Sequence, residues 1–187
     1  DTGNRRVLIW EDVHTTGQAA DLVLGQKAFP CRDENGGDAV SDFSMRWPHM
    51  AISHRDGLAV ADAGNNRVMI WQTFPTSNGQ APDTMLGQAN MSDCDHNMAS
   101  YYPTSQAMNM PYALASHGLD LVVADTANSR ILGFDDHSMA AHADRLTAQP
   151  DFAAKGDNRW GIAERDTVCW PYGMSSLGNT IAIADSG

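Results

Sequence analysis

The stretch that decides the fold is Gly57–Trp71, "GLAVADAGNNRVMIW". Its flanks, Gly57–Ala61 and Val68–Trp71, are apolar, and Ala63–Asn66 between them is rich in turn formers. Short apolar runs bounded by Gly and Asn read as two antiparallel strands joined by a tight turn. Both faces of each run are apolar. Leu58 and Val60 alternate with Ala59 and Ala61, and Val68 and Ile70 alternate with Met69 and Trp71. A hairpin of that kind must be covered on both sides.

Working outward, the same pattern recurs as "DLVVADTANSRILGF" at 120–134, with half copies in "DTGNRRVLIW" at 1–10 and "DSG" at 185–187. The motif aspartates Asp1, Asp62, Asp125 and Asp185 stand 61, 63 and 60 residues apart by subtraction. Other markers keep step. "WPHMAIS" (47–53), "MPYALAS" (110–116) and "WPYGMSS" (170–176) precede the later aspartates; "DLVLGQKAF" (21–29), "DTMLGQANM" (83–91) and "DRLTAQPDF" (144–152) follow the first three. A fixed period of this size predicts a repeat architecture, here with repeats of about 1–61, 62–124 and 125–184 in one domain. In the second repeat the strands are "PHMAIS", "GLAVAD", "RVMIWQ" and "TMLGQ", with "HRD" and "GNN" as turns. Four-stranded sheets that are apolar on both faces stack radially in a β-propeller, so the expected fold is all-β with three blades' worth of strands.

The strand ending in Ala-Asp, the Gly-Asn turn, the Arg five residues after the Asp and the preceding Pro-aromatic strand resemble the NHL-repeat β-propeller family, over nearly the whole chain. The "VLGQ" and "AQPDF" segments resemble those of its long-repeat bacterial members, which implies export to the periplasm or the extracellular space. Ala127 at the turn glycine's place and Gly133 in a strand depart from the pattern and predict a less regular third blade.

The chain holds the third and fourth strands of one blade at its start and the first and second of another at its end. Three blades do not close a propeller. Two arrangements complete it: a homodimer, in which Pro171–Asp185 of one chain pairs with Arg6–Gln26 of the other to close six blades about a two-fold axis, or further repeats of a longer chain.

The spacing of Asp and Arg has a physical reason. An aspartate ending the second strand accepts N–H groups across the turn, and an arginine opening the third strand lies within reach of it. Asp1 with Arg6, Asp62 with Arg67, and Asp125 with Arg130 are therefore read as fold-stabilising pairs, with Asp185 beginning a fourth.

Composition excludes some partners. Twelve Lys and Arg against 23 Asp and Glu give a net charge of −11, which repels nucleic acid and anionic membrane surfaces. No apolar run approaches the ~20 residues of a membrane span. Cys31, Cys94 and Cys169 form no CxxC pair; a Cys31–Cys94 bridge would require their loops to meet.

Candidate site residues follow from the architecture. The first strand of each blade lines the central channel, and its opening residues ring the mouth: His49, Tyr112 and Tyr172, flanked by Trp47, Met110 and Trp170. The expected function is that of a binding scaffold for a protein, peptide or small ligand, without catalytic motif. One alternative is a metal-dependent lyase or hydrolase with His49 as metal ligand and Tyr112 or Tyr172 as acid-base or orienting groups. The resemblance implies it through a peptide-amidating lyase that holds zinc in a comparable "PH" setting, yet only His49 matches and zinc needs three or four ligands. The other alternative is a structural subunit of a larger assembly. Met91, Cys94, His96 and Met98 are soft donors in one loop, and Asp33, Glu34, Asp38 and Asp42, or Asp93 and Asp95, are acidic clusters of the kind that could hold calcium, though without its regular spacing. The soft donors suit copper(I) or a similar ion, and zinc or calcium is the cofactor that His49 or the acidic clusters would take. Ser53 and His54 are neighbours on opposite strand faces and form no nucleophile pair. "DHSMAAHADRL" (136–146) is read as a short helical turn.

Overall fold

A computed structural model describes residues 1–187. Gly57–Asp62 and Arg67–Trp71 are strands, and every residue of both is buried. The turn between them is one 3-10 turn, Ala63–Asn65, closed by Asn66 in the left-handed region at φ 55°. Asn tolerates that conformation because its short amide bonds locally. Arg5 and Ser129 take the same geometry in the flanking repeats, at φ 56° and 50°.

Twelve strands form in chain order: β1 (Val7–Ile9), β2 (Leu22–Leu24), β3 (Pro48–His54), β4 (Gly57–Asp62), β5 (Arg67–Trp71), β6 (Thr84–Leu86), β7 (Pro111–His117), β8 (Asp120–Asp125), β9 (Arg130–Phe134), β10 (Arg145–Thr147), β11 (Pro171–Leu177) and β12 (Thr180–Asp185). They make two four-stranded antiparallel sheets, β3-β4-β5-β6 and β7-β8-β9-β10, and two two-stranded sheets, β1-β2 and β11-β12. The protein is therefore all-β, with its sheets repeating at the period of the sequence.

Successive sheets stack face to face, which answers the need for cover on both sides. Ile9 and Leu24 of the first sheet meet Val60, Met69 and Trp71 of the second. The opposite face of the second sheet, Ala61, Val68 and Ile70, meets Leu114, Leu121 and Val123 of the third. Ala115, Ala124 and Ile131 of the third then face Met174 of the fourth. Each fully buried Leu, Val or Ile contributes roughly 1.5–3 kcal/mol. The first strands β3, β7 and β11 lie beside one another, so one edge of each of these three sheets turns the same way. Thr2 Oγ1 donates to Pro48 O at 2.7 Å and Thr126 Oγ1 to Pro171 O at 2.7 Å, tying a turn of one sheet to the first strand of the next.

The third sheet is as regular as the second, contrary to the expectation from Ala127 and Gly133. Gly64 is needed because a Cβ there would lie 2.6 Å from the Arg46 side chain. Asn109 stands at the matching place in the next repeat, and Ala127 completes an unchanged turn. Gly133 leaves room for Arg145, which a Cβ would meet at 3.2 Å. The segment 136–146 is not helical: it consists of bends and one turn leading into β10.

The long connections after β2, β6 and β10 each carry a short turn, Glu34–Gly37, His96–Ala99 and Asp157–Trp160, with consecutive residues in the left-handed region. All three connections are pinned by a device that occurs twice. Arg67, fully buried, donates through Nε to Asp62 at 3.0 Å, through Nη1 to Met91 O at 2.6 Å, and through Nη2 to Ser41 O and Ser44 O at 3.0 and 2.7 Å. Arg130 repeats the set with Asp125 (2.7 Å), Phe152 O (2.7 Å), Thr104 O (2.9 Å) and Ala107 O (2.8 Å). Asp1 and Arg6 pair at 2.8 Å in a more open setting. Asp185 accepts from Cys169 N at 2.7 Å. Each motif aspartate thus accepts hydrogen bonds from the fold around it.

Candidate functional site

The strand entries at 48–50, 111–113 and 171–173 depart from regular pairing in the same way. Pro48 pairs with Asp62 but Met50 with Ala61, so His49 has no partner of its own. The same bulge leaves Tyr112 unpaired between Pro111 and Ala113, and Tyr172 between Pro171 and Gly173. A bulge re-aims the extra residue's side chain. Here it turns three side chains from three neighbouring strands onto one another.

His49 stacks on Tyr112 with ring centroids 3.9 Å apart and planes 18° apart. Tyr112 meets Tyr172 edge-on at 4.7 Å, and His49 meets Tyr172 at 6.2 Å. Tyr112, in the middle, is buried; His49 and Tyr172 are exposed. Burial, the neighbouring Tyr172 and a hydrogen bond to it push the Tyr112 phenol up to about 12. Desolvation against the ring stack holds the His49 imidazole below its ordinary value. At neutral pH the cluster is therefore an uncharged aromatic surface with hydrogen-bonding tips.

Of the six residues expected at this mouth, the structure brings these three into one stack. Trp47 and Trp170 do not join the ring stack. Trp47 O accepts from Ala63 N at 3.0 Å, and its ring has the Arg46 guanidinium 5.4 Å from its centre. Trp170 O accepts from Ser186 Oγ at 2.8 Å, and Met110 N donates to Asn66 Oδ1 at 2.8 Å. These three flank the strand entries. His49 has phenols rather than further metal donors for neighbours, and no group of three or more His, Cys, Asp or Glu side chains is placed to hold a metal ion.

Of the other candidate donors, Asp93 accepts from Asn90 and Glu34 pairs with Arg46 at 2.9 Å, while Met91 and Cys94 accept from Arg67 and Asn66 through their backbone carbonyls. Cys31, Cys94 and Cys169 are free thiols.

A second cluster, at the opposite end of the strands, was not signalled by any local pattern. His54, at the end of β3, is 3% exposed, and its Nδ1 lies 2.8 Å from Ser116 Oγ of β7. Its ring meets that of His137, from the β9–β10 connection, edge-on at 4.9 Å. Burial, helped by the charges of His137 and Arg55, lowers the His54 imidazole to about 4; burial and Arg55 lower that of His137. Ser53 is indeed no partner for His54; the serine that is belongs to the next repeat, 62 residues on. No protein-family model and no curated protein matches the chain.

Proposed function

We propose that the sheets are blades of a β-propeller of the NHL-repeat kind, and that the protein is a binding scaffold whose site is the His49–Tyr112–Tyr172 cluster. The observation that carries this reading is the convergence of three bulged residues, one from each first strand, into a single stack. The ligand class is a neutral small molecule or a peptide with a flat face, taken by stacking on the exposed rings and by hydrogen bonds to imidazole and phenol. The radial reading is supported by the side-by-side first strands and the face-to-face stacking of consecutive sheets. Closure is by a second copy or by further repeats. The β4–β5 register, carried over to β12 and β1, sets Asp185 opposite Arg6 and Ile183 opposite Leu8 across such a junction.

The test is a titration of ring-labelled tyrosine, followed by NMR, with panels of oligosaccharides and short aromatic peptides. Ligands of the proposed class shift the Tyr112 and Tyr172 resonances and lose affinity in His49→Ala. Ligands that bind while leaving both tyrosines unmoved refute the assignment.

A further inference from the structure

The groove between the second and third sheets, at the end away from His49, has a volume of about 660 Å³ and is lined by His54 and His137 together with four aspartates, Asp56, Asp83, Asp135 and Asp136, against one arginine, Arg55. Such a groove concentrates cations. His54 is almost fully buried, yet its Nε2 has no hydrogen-bond partner, although a polar atom left dry and unpaired costs roughly 1–3 kcal/mol. Its Nδ1 is occupied by Ser116 Oγ at 2.8 Å. On His137 the Nε2 is occupied by Phe134 O at 3.1 Å, which leaves Nδ1 free. Each imidazole thus has one nitrogen tied to a protein oxygen and the other uncommitted. With the tied nitrogens assigned as the N–H donors, the arrangement is that of metal-binding histidines, whose second nitrogen donates to a fixed acceptor that sets tautomer and orientation. The separation also fits. Two imidazoles on one tetrahedral ion, with metal–nitrogen bonds of about 2.0–2.1 Å, have ring centroids about 5 Å apart; His54 and His137 stand at 4.9 Å.

We propose that His54 Nε2 and His137 Nδ1 together bind a borderline divalent transition-metal ion, with zinc as the type, in this groove. Imidazole donors select zinc, copper or nickel over calcium and magnesium, which take oxygen. The two histidines are the nitrogen donors, and of the groove's aspartates Asp136 is committed to Ser138 and Asp83 to Gln72 N. The remaining positions belong to water or to an incoming ligand, which makes this an open site rather than a closed structural one. The inference stands on the groove alone and is independent of how the sheets close or of what the His49 cluster binds.

The experiment is calorimetric titration of the whole 187-residue chain with zinc chloride, repeated with cobalt(II) to read coordination from the visible spectrum. The expected result is one ion per chain. In His137→Ala binding falls at least tenfold, and in Ser116→Ala, where only the orienting bond is lost, about tenfold. His142→Ala, whose imidazole sits at Ser105 elsewhere on the surface, leaves binding unchanged. Calcium in excess does not compete. Circular dichroism confirms that each variant is folded, and His54→Gln is read only alongside His137→Ala, since His54 is buried. Failure of the wild-type chain to take up zinc, or uptake that His137→Ala does not weaken, or calcium competition, overturns the proposal.

Discussion

Two ion pairs in the third sheet have the same chemistry and the same length, and they are expected to behave very differently. Arg130 meets Asp125 at 2.7 Å and Arg145 meets Asp120 at 2.7 Å. The first pair is fully buried; in the second, the arginine side chain is 55% exposed and the aspartate 25%. Replacing Arg145 by Met removes a solvent-screened contact worth about 0–1 kcal/mol. Replacing Arg130 by Met strands the Asp125 carboxylate in the interior, which costs about 3–5 kcal/mol. It also takes the donor from the carbonyls of Phe152, Thr104 and Ala107. Each carbonyl left dry adds on the order of 1 kcal/mol or more. Set against the 5–15 kcal/mol by which a domain is ordinarily stable, Arg130→Met brings the fold close to its limit. In a chain of this size 1 kcal/mol moves the melting temperature by about 2–4 °C, so the buried substitution lowers it by roughly 10–30 °C and the exposed one by a few degrees at most. Urea unfolding of both variants, followed by circular dichroism, gives the comparison. Variants whose midpoints differ by less than about 1 kcal/mol in stability would refute the view that burial, rather than the ion pair itself, sets the worth of this motif.

Three further expectations are open to direct measurement. The Tyr112 phenol, pushed up to about 12, holds its proton more tightly in the folded state than in the unfolded one, where the value is about 10. Stability is therefore lost as pH rises from about 10 toward about 12, by at most about 1.4 kcal/mol per pH unit; Tyr112→Phe flattens the difference, and an unchanged slope in alkaline urea melts argues against it. Gly87 sits at φ +98°, where a Cβ would lie 2.7 Å from Asn66 O, so Gly87→Ala costs roughly 1–3 kcal/mol by thermal melting. Light scattering across concentrations gives a mass near twice 20.2 kDa if a second copy pairs with the one-sided strands β1 and β12, whereas a mass that stays at 20.2 kDa refutes that closure.

Much of the sheet structure was legible because each strand announces itself locally. The alternation at Gly57–Trp71, the turn at Ala63–Asn66 and the five-residue spacing from Asp62 to Arg67 all act within one hairpin, and period-two order passes directly into register. The meeting of His49, Tyr112 and Tyr172 was legible by a different route: equivalent positions in successive repeats lie side by side when sheets stack. Tyr112's burial and the bulges that aim the three rings were not, because a bulge is decided by pairing between strands. The His54–Ser116–His137 cluster joins non-equivalent positions of two sheets and has no spacing to betray it. Position 137 is Phe74 in the repeat before, so no repetition points to it either. The segment 136–146 failed as a helix because Gly133 and the β9–β10 pairing draw it back into the sheet.

The buried arginines also bear on how such a chain can lengthen. Arg67 holds residues of the connection that precedes its sheet, Ser41 and Ser44, and a residue of the one that follows, Met91. Arg130 does the same with Thr104 and Ala107 before it and Phe152 after it. With repeats bounded at 61/62 and 124/125, both arginines are thus shared across a repeat boundary. A gene duplication that copies one whole period of about 60 residues restores every such set no matter at which residue it starts, whereas a copy of any other length leaves a buried guanidinium facing the wrong carbonyls. Growth in whole periods, from any phase, is the only kind that keeps these interior charges matched.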